Sequence, residues 1–236
     1  MRTQKQIDNI KKTFSDPYIV TEFITESDIA HLIKLYESFD PHQPKVYKNT
    51  GPVTLDLHKY LNDPVLDGII KQLKLAIGDF EITAGFFFFT DYPHIIHNDD
   101  LFELPDTTYK AITIPLRLDG VSDNASLCFF NQHYFHGPSK FFNGDKDIPT
   151  YYNKQLYDYS DVDGVSNDNN ITDEIYQKHF THIKRKWLNG LSFHSFLPWK
   201  IGSCIIFDSL QLHCASDFRK HGIKSKLGIS IFTKRK

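Results

Sequence analysis

Glu81-Ile-Thr-Ala-Gly-Phe-Phe-Phe-Phe-Thr90-Asp-Tyr-Pro-His-Ile-Ile-His97-Asn-Asp99 is the stretch on which the reading of this chain turns. Its first ten residues form an apolar, aromatic run of strand length, and Asp91, Tyr92 and Pro93 break it. In an extended segment residues i and i+2 face the same side, so His97 and Asp99 can close on one ion. A helix would set them about 200° apart. Far downstream, Gly202-Ser-Cys-Ile-Ile-Phe-Asp-Ser-Leu-Gln-Leu-His213 supplies a second imidazole. Two imidazoles and a carboxylate make a three-donor set that leaves positions on iron open for a cosubstrate and dioxygen. With 12 histidines and 29 acidic residues in 236, about one or two His-x-acid tripeptides arise by chance, so strand context and order carry the signal.

The second half of the chain repeats the setting. Pro198-Trp-Lys-Ile-Gly-Ser-Cys-Ile-Ile-Phe207 reads as a turn and a buried strand, Asp208-Ser209 turns the chain, and His213 follows near a strand mouth. In Lys224-Ser-Lys-Leu-Gly-Ile-Ser-Ile-Phe-Thr233, Leu227, Ile229 and Ile231 alternate with Lys226, Gly228 and Ser230. One face is apolar and the other polar. Turned into a barrel, Lys226 would be a cation in a partly desolvated cavity, which costs several kcal/mol unless an anion meets it. A dicarboxylate is such an anion; its charge-assisted bond to lysine contributes about 1.5–3 kcal/mol, and Ser230 on the same face adds a second donor. The plain alternative is a face that is simply wet.

The order strand, His97-x-Asp99, strand, strand, insertion, strand, His213, basic strand resembles the Fe(II)- and 2-oxoglutarate-dependent oxygenases. Within that superfamily, Asp16-Pro-Tyr-Ile-Val-Thr-Glu-Phe-Ile-Thr-Glu-Ser-Asp-Ile-Ala-His-Leu-Ile-Lys-Leu-Tyr36 is similar to the opening of the prolyl-4-hydroxylase-like branch, where a short strand leads into a capped helix. The resemblance implies a mainly β fold with flanking helices: a double-stranded β-helix (jelly-roll, cupin-like) core with N-terminal helices packed on one sheet. It implies Fe(II) held by His97, Asp99 and His213, the catalytic set, and 2-oxoglutarate bound at Lys226 and Ser230. The activity implied is hydroxylation by dioxygen of a C–H bond in an amino-acid, peptidyl or small-molecule substrate. Succinate and carbon dioxide are released, and ascorbate is an accessory reductant. Many members use arginine at the anchor; lysine is a point charge without the bidentate fork, and Lys110, Lys224 and Arg219 stay open as alternatives. Two other readings also stay open. One is a non-redox cupin-type isomerase in which the metal acts as a Lewis acid, and the other is an inactive binding module on the same barrel. The intact triad speaks against the second.

Composition fits a single domain spanning 1–236, since 40% hydrophobic and 14% aromatic content can bury one substantial core. A formal charge of −2 gives no global basic field, so nucleic acid is not an expected partner. Cys128, Cys204 and Cys214 show neither a disulfide framework nor zinc spacing. Met1-Arg-Thr-Gln-Lys-Gln-Ile-Asp8 lacks an apolar signal core and no apolar run spans a bilayer, so no membrane association and a cytoplasmic location are expected.

Helices are predicted over 26–38, capped by Thr25 or Ser27 with Ile29, Leu32, Ile33 and Tyr36 as its stripe, and over Pro64 to Ile77, with Val65, Leu66, Ile69, Ile70, Leu73 and Leu75. Tyr109–Leu118 and Ala125–Phe130 read as strands around the turn Asp119–Asn124. Residues 131–197 form a long insertion with one helix around Asp173–Trp187, a candidate substrate lid. Within it, Asp161-Val-Asp163-Gly164 fails as a calcium loop, because Tyr159 and Asn170 fall where carboxylates are needed. Asn170-Ile-Thr172 matches a glycosylation acceptor, which has no meaning in an intracellular chain. His182, Lys184, Arg185 and Lys186 read as a basic helical face that is solvated. His94 is set aside as a ligand because it should point to the opposite strand face, and His133, His136 and His194 read as surface or hydrogen-bonded histidines.

Overall fold

Period-two alternation along the chain resolves, in a computed structural model, into two facing sheets. The structure describes residues 2–38, 53–57, 62–100, 108–120, 124–141, 154–156, 162–167 and 170–236. The larger sheet is antiparallel and runs, edge to edge, β1 (Tyr18–Val20), β10 (Cys204–Asp208), β4 (Thr108–Asp119), β12 (Ser225–Arg235), β3 (Phe80–Thr90) and β2 (Val53–Asp56). The smaller sheet is built on β5 (Ser126–Tyr134), flanked by β11 (Gln211–Ala215) and β9 (Phe193–Pro198), with the short β8 (Val162–Asp163) at the end of β5. β6 (Ser139–Phe141) and β7 (Lys154–Leu156) pair in parallel. This is the jelly-roll core with flanking helices that the sequence implied.

The outer face of the larger sheet carries two helices. α2 (Glu26–Glu37) starts in a capping box, in which Thr25 Oγ1 accepts from Asp28 N at 3.2 Å and Asp28 Oδ2 accepts from Thr25 N at 3.0 Å. α3 (Pro64–Ile77) is capped by Asp63, which accepts from Val65 N and Leu66 N, and it ends at Gly78 with φ +82°. Leu32, Leu66, Ile69 and Leu73 pack on Phe87, Ile112, Ile114, Ile229 and Ile231, the apolar set of the three central strands. Each fully buried side chain of this kind contributes about 1.5–3 kcal/mol. Leu75, counted in the α3 stripe, is 88% exposed, because two residues past Leu73 it lies about 200° round the helix.

The smaller sheet is backed by part of the insertion. Phe180, Ile183, Trp187, Leu188 and Leu191 cover Cys128, Phe130, Leu212 and Cys214. The single helix expected over Asp173–Trp187 is instead α4 (Asp173–His179), an irregular link, and a 3-10 turn over Arg185–Leu188. The break has tertiary causes. Lys220 Nζ donates to Gln177 O, His221 Nε2 contacts Lys178 O at 2.8 Å, and Asp217 N donates to His179 O at 2.7 Å, so the last carbonyls of α4 find partners outside the helix. His182 is therefore not on a helical face, and burial pushes its imidazole down to about 4. β5 runs four residues beyond the expected Phe130, because Gln132 is buried by bonds to Gly164 O and Ser192 Oγ. β9 and the N-terminal helix α1 (Gln4–Lys11) were not anticipated. The described residues at 170–191 form this backing layer, and 142–153 and 157–161 lie outside the described residues, together with Tyr159 and Asp161 of the calcium-loop motif. Among the described residues no helix is long and apolar enough to cross a membrane.

Candidate metal centre

His97 reaches the smaller sheet through an isolated bridge to His213, closed by reciprocal backbone bonds of 2.9 Å each way. Asp99 N donates to Ser209 O at 2.8 Å, so the extended stretch continues through the ligand pair as the i, i+2 argument requires. His213 Nε2 lies 3.3 Å from Asp99 Oδ2, His97 Nε2 lies 3.7 Å from Asp99 Oδ1, and the imidazole centroids are 4.3 Å apart. One ligand atom from each residue lies within 4.8 Å of the others, and this is the one such trio among the described residues. Donors held about 2.1 Å from one ion at right angles sit about 3 Å apart, so small side-chain rotations close the set.

The orientation of each imidazole is fixed from behind. His97 Nδ1 is 2.7 Å from Ile95 O and His213 Nδ1 is 2.9 Å from Gln211 O, so each Nδ1 is held by a backbone carbonyl and each Nε2 is turned to the shared point. Burial, first, and the neighbouring His213 hold the His97 imidazole well below its ordinary range, so it is neutral and able to ligate. Burial pushes the Asp99 carboxyl up, but the charge and hydrogen bond of His213, with His97, bring it net below the usual value. A carboxylate and two imidazoles whose Nε2 atoms face one point suit a divalent transition ion.

Two features of this centre escaped the sequence reading. Asn98 is fully buried; its Nδ2 donates to Tyr134 O and Gly137 O, while its Oδ1 accepts from Ser139 N at 2.8 Å. Asp100 is paired with Arg2, a partner nearly a hundred residues away. His94 was expected to point away, yet the chain bends between it and His97. It lines the same cavity, in edge contact with the His97 ring at 5.6 Å, and remains outside the ligand trio.

The cavity beside the trio, about 120 Å3, is lined by His97, Asp99 and His213 and also by Lys226 and Ser230. Lys226 is 3% exposed, with its Nζ 4.2 Å from the ring centre of Trp199 and 4.6 Å from that of Phe218. Among the described residues no carboxylate pairs with it, and burial pushes its amine down to about 7. The rings supply a cation–π cradle worth about 1–2 kcal/mol, less than the desolvation of an ammonium ion. Gly228, between Lys226 and Ser230, leaves room for this cradle, since a Cβ there would sit 3.0 Å from Trp199 Cζ2. Of the alternative anchors, Lys110 is committed to Asp208, Ser15 and Thr13 O outside the cavity, and Arg219 and Lys224 are exposed. His133 stacks on Phe14 at 4.3 Å and His194 contacts Asp16 at 3.2 Å, both lining a separate crevice.

No family model matches the chain, and no curated protein matches it in sequence. Solved structures do match in fold. The non-heme alpha-ketoglutarate-dependent epimerase SnoN from nogalamycin biosynthesis superposes with a TM-score of 0.55 at 13% identity, covering 98% of this chain and 82% of that one. The same epimerase in complex with Fe3+, alpha-ketoglutarate and nogalamycin RO gives 0.55 at 12% identity over the same shares. The alpha-ketoglutarate-dependent carbocyclase SnoK gives 0.53 at 9%, covering 98% and 84%. Coverage of 98% of this chain at such identity fixes the architecture alone: the chain shares the jelly-roll fold of SnoN and SnoK.

Proposed function

We propose that this protein is an Fe(II)- and 2-oxoglutarate-dependent dioxygenase, a single oxygenase domain over 1–236. It would hydroxylate a C–H bond of an amino-acid, peptidyl or small-molecule substrate and release succinate and carbon dioxide. The observation that carries the proposal is one cavity holding both a three-donor set and a buried ammonium group without a carboxylate partner. Each half needs the other. A bare metal site explains His97, Asp99 and His213 but not Lys226, and a ligand with an anionic group at each end explains both.

His97, Asp99 and His213 would hold the ion on one side through two nitrogens and one oxygen. When bound, Fe(II) with 2-oxoglutarate supplies oxidising power drawn from dioxygen and the decarboxylation of the cosubstrate. Lys226 would receive the distal carboxylate by a charge-assisted bond, with Ser230 as a second donor. Trp199, Phe207 and Phe232 line the chamber with apolar surface, which excludes water from the reacting centre. The Ile95 and Gln211 carbonyls keep both Nε2 atoms turned to the ion. Ascorbate is an accessory reductant in this scheme, and a cytoplasmic location, where ferrous iron and the three free thiols stay reduced, belongs to the same proposal.

The fold also carries an epimerase and a carbocyclase, so hydroxylation is the finer part of the proposal and product analysis tests it separately. A screen of amino acids, peptides and small metabolites should find a compound that stimulates succinate release with Fe(II) present, and gains one oxygen atom. Stimulated succinate release with an isomerised or cyclised product would correct the outcome while keeping the cosubstrate. Consumption of 2-oxoglutarate by His97→Ala at normal iron content would refute the metal assignment.

A further inference from the structure

Asp99 and Asp100 stand side by side, and either carboxylate is chemically fit to bind a metal. The structure separates them. Both oxygens of Asp100 are occupied away from the centre: Oδ1 by Arg2 Nη2 at 2.8 Å and Thr108 Oγ1 at 3.0 Å, Oδ2 by Arg2 Nη1 and Gly137 N at 3.1 Å. The pair is shut off from water, with 4% of the Arg2 side chain and 1% of the Asp100 side chain exposed. Arg2 further donates to Phe135 O at 2.7 Å and to Thr108 Oγ1 at 2.9 Å.

The element carrying Arg2 is itself anchored beside the centre. Thr3 caps α1 in a capping box with Gln6, so a capped helix begins two residues after Arg2. Ile10 of that helix packs with Phe135 and Leu210. Leu210 follows Ser209, whose carbonyl receives Asp99 N. Successive residues of an extended chain face opposite ways, so fixing Asp100 backwards fixes Asp99 forwards.

We propose that Arg2 is a positioning residue for the metal centre: its fork neutralises Asp100 and pins it behind the loop, so that Asp99 alone meets the ion. This rests on the reading of His97, Asp99 and His213 as metal ligands. Removing the guanidinium would leave a buried, unpaired carboxylate one residue from the ligand, free to turn and compete.

The test is titration of the wild-type protein and its variants with Co(II), read by the ligand-field absorption bands, alongside thermal unfolding. Arg2→Gln should weaken Co(II) binding by about 10–100-fold, the range seen when groups orienting metal ligands are lost, and should change the band pattern. Adding Asp100→Asn to Arg2→Gln should recover at least about tenfold of that affinity, since the competing charge is gone. Arg2→Lys, which keeps the charge without the fork and is less disruptive to folding, should fall between wild type and Arg2→Gln. Leu73→Ala, in the helix layer on the far face of the larger sheet, serves as the destabilised control and should bind Co(II) as wild type does. Wild-type affinity and bands in Arg2→Gln would overturn the proposal, as would an Arg2→Gln/Asp100→Asn protein no better than Arg2→Gln. Failure of the wild-type protein to bind Co(II) would instead remove the metal-centre reading on which it rests.

Discussion

Lys110 and Lys226 sit on neighbouring strands of one sheet, each 3% exposed, yet their surroundings are opposite. Lys110 meets the Asp208 carboxylate, Ser15 Oγ at 2.8 Å and Thr13 O at 3.1 Å on the outer side of the barrel. Lys226 faces the cavity between two aromatic rings, with no carboxylate among the described residues to balance it. A buried cation with its anion built in is part of the structure. One without is, on the proposed function, where an anion from outside would bind. The contrast separates the two candidate anchors more sharply than strand position does.

The severest way to break this contrast is to remove a proposed metal ligand. Asp99→Ala should abolish Fe(II)-dependent turnover, with iron content measured alongside; activity at normal iron loading would mean that Lys226 faces something other than a metal-bound ligand. Next in size, Lys226→Met should weaken 2-oxoglutarate binding by about 1.5–3 kcal/mol, roughly 10–150-fold, while leaving unfolding free energy equal or higher. Lys110→Met should do the reverse, costing about 3–5 kcal/mol of stability through the stranded Asp208 with little change in cosubstrate affinity. Denaturant unfolding and calorimetric binding on both variants read the crossover.

The pH dependence sharpens the same contrast. In the free protein burial lowers the Lys226 amine from 10.5 to about 7, and a bound carboxylate favours the ammonium form. Cosubstrate binding should therefore take up a proton above pH 7, and affinity should fall by up to about tenfold per pH unit as pH rises beyond that point. Without ligand the sign is opposite for stability. The unfolded chain holds the Lys226 proton up to its higher pKa, so this group's contribution rises with pH from about 7 towards 10.5 and is lost on the way down. The smallest effect belongs to Ser230→Ala, a loss of about 0.5–1.5 kcal/mol in cosubstrate affinity, measured by the same calorimetry.

How much of this was legible in the sequence follows from the range of each interaction. α2 and α3 are legible through Thr25, Pro64 and their apolar stripes, and period two along Lys226–Ile231 separates two faces, of which the structure turns the polar one, Lys226 and Ser230, to the cavity. The trio was readable because His97 and Asp99 lie two apart in an extended segment. The Arg2–Asp100 pair and the Asn98 brace left no local trace, since they join segments distant in sequence and depend on how the β5–β6 turn is placed. The helix expected over Asp173–Trp187 failed for a related reason: its end is set by Asp217, Lys220 and His221, some forty residues further on. Strict strand alternation does not carry to His94, because the chain bends between Pro93 and His97 and turns its ring to the cavity.

The central claim is that metal and dicarboxylate meet in one cavity, which Lys226 also lines. An anaerobic titration with Fe(II) and 2-oxoglutarate, followed by visible absorption in wild type and Lys226→Met, tests it most directly. The account predicts a charge-transfer band that needs both components and that saturates in Lys226→Met only at 2-oxoglutarate concentrations 10-fold or more higher, on the order set by one lost charge-assisted bond. Metal binding with no such band, or a band with the same midpoint in both proteins, would contradict it.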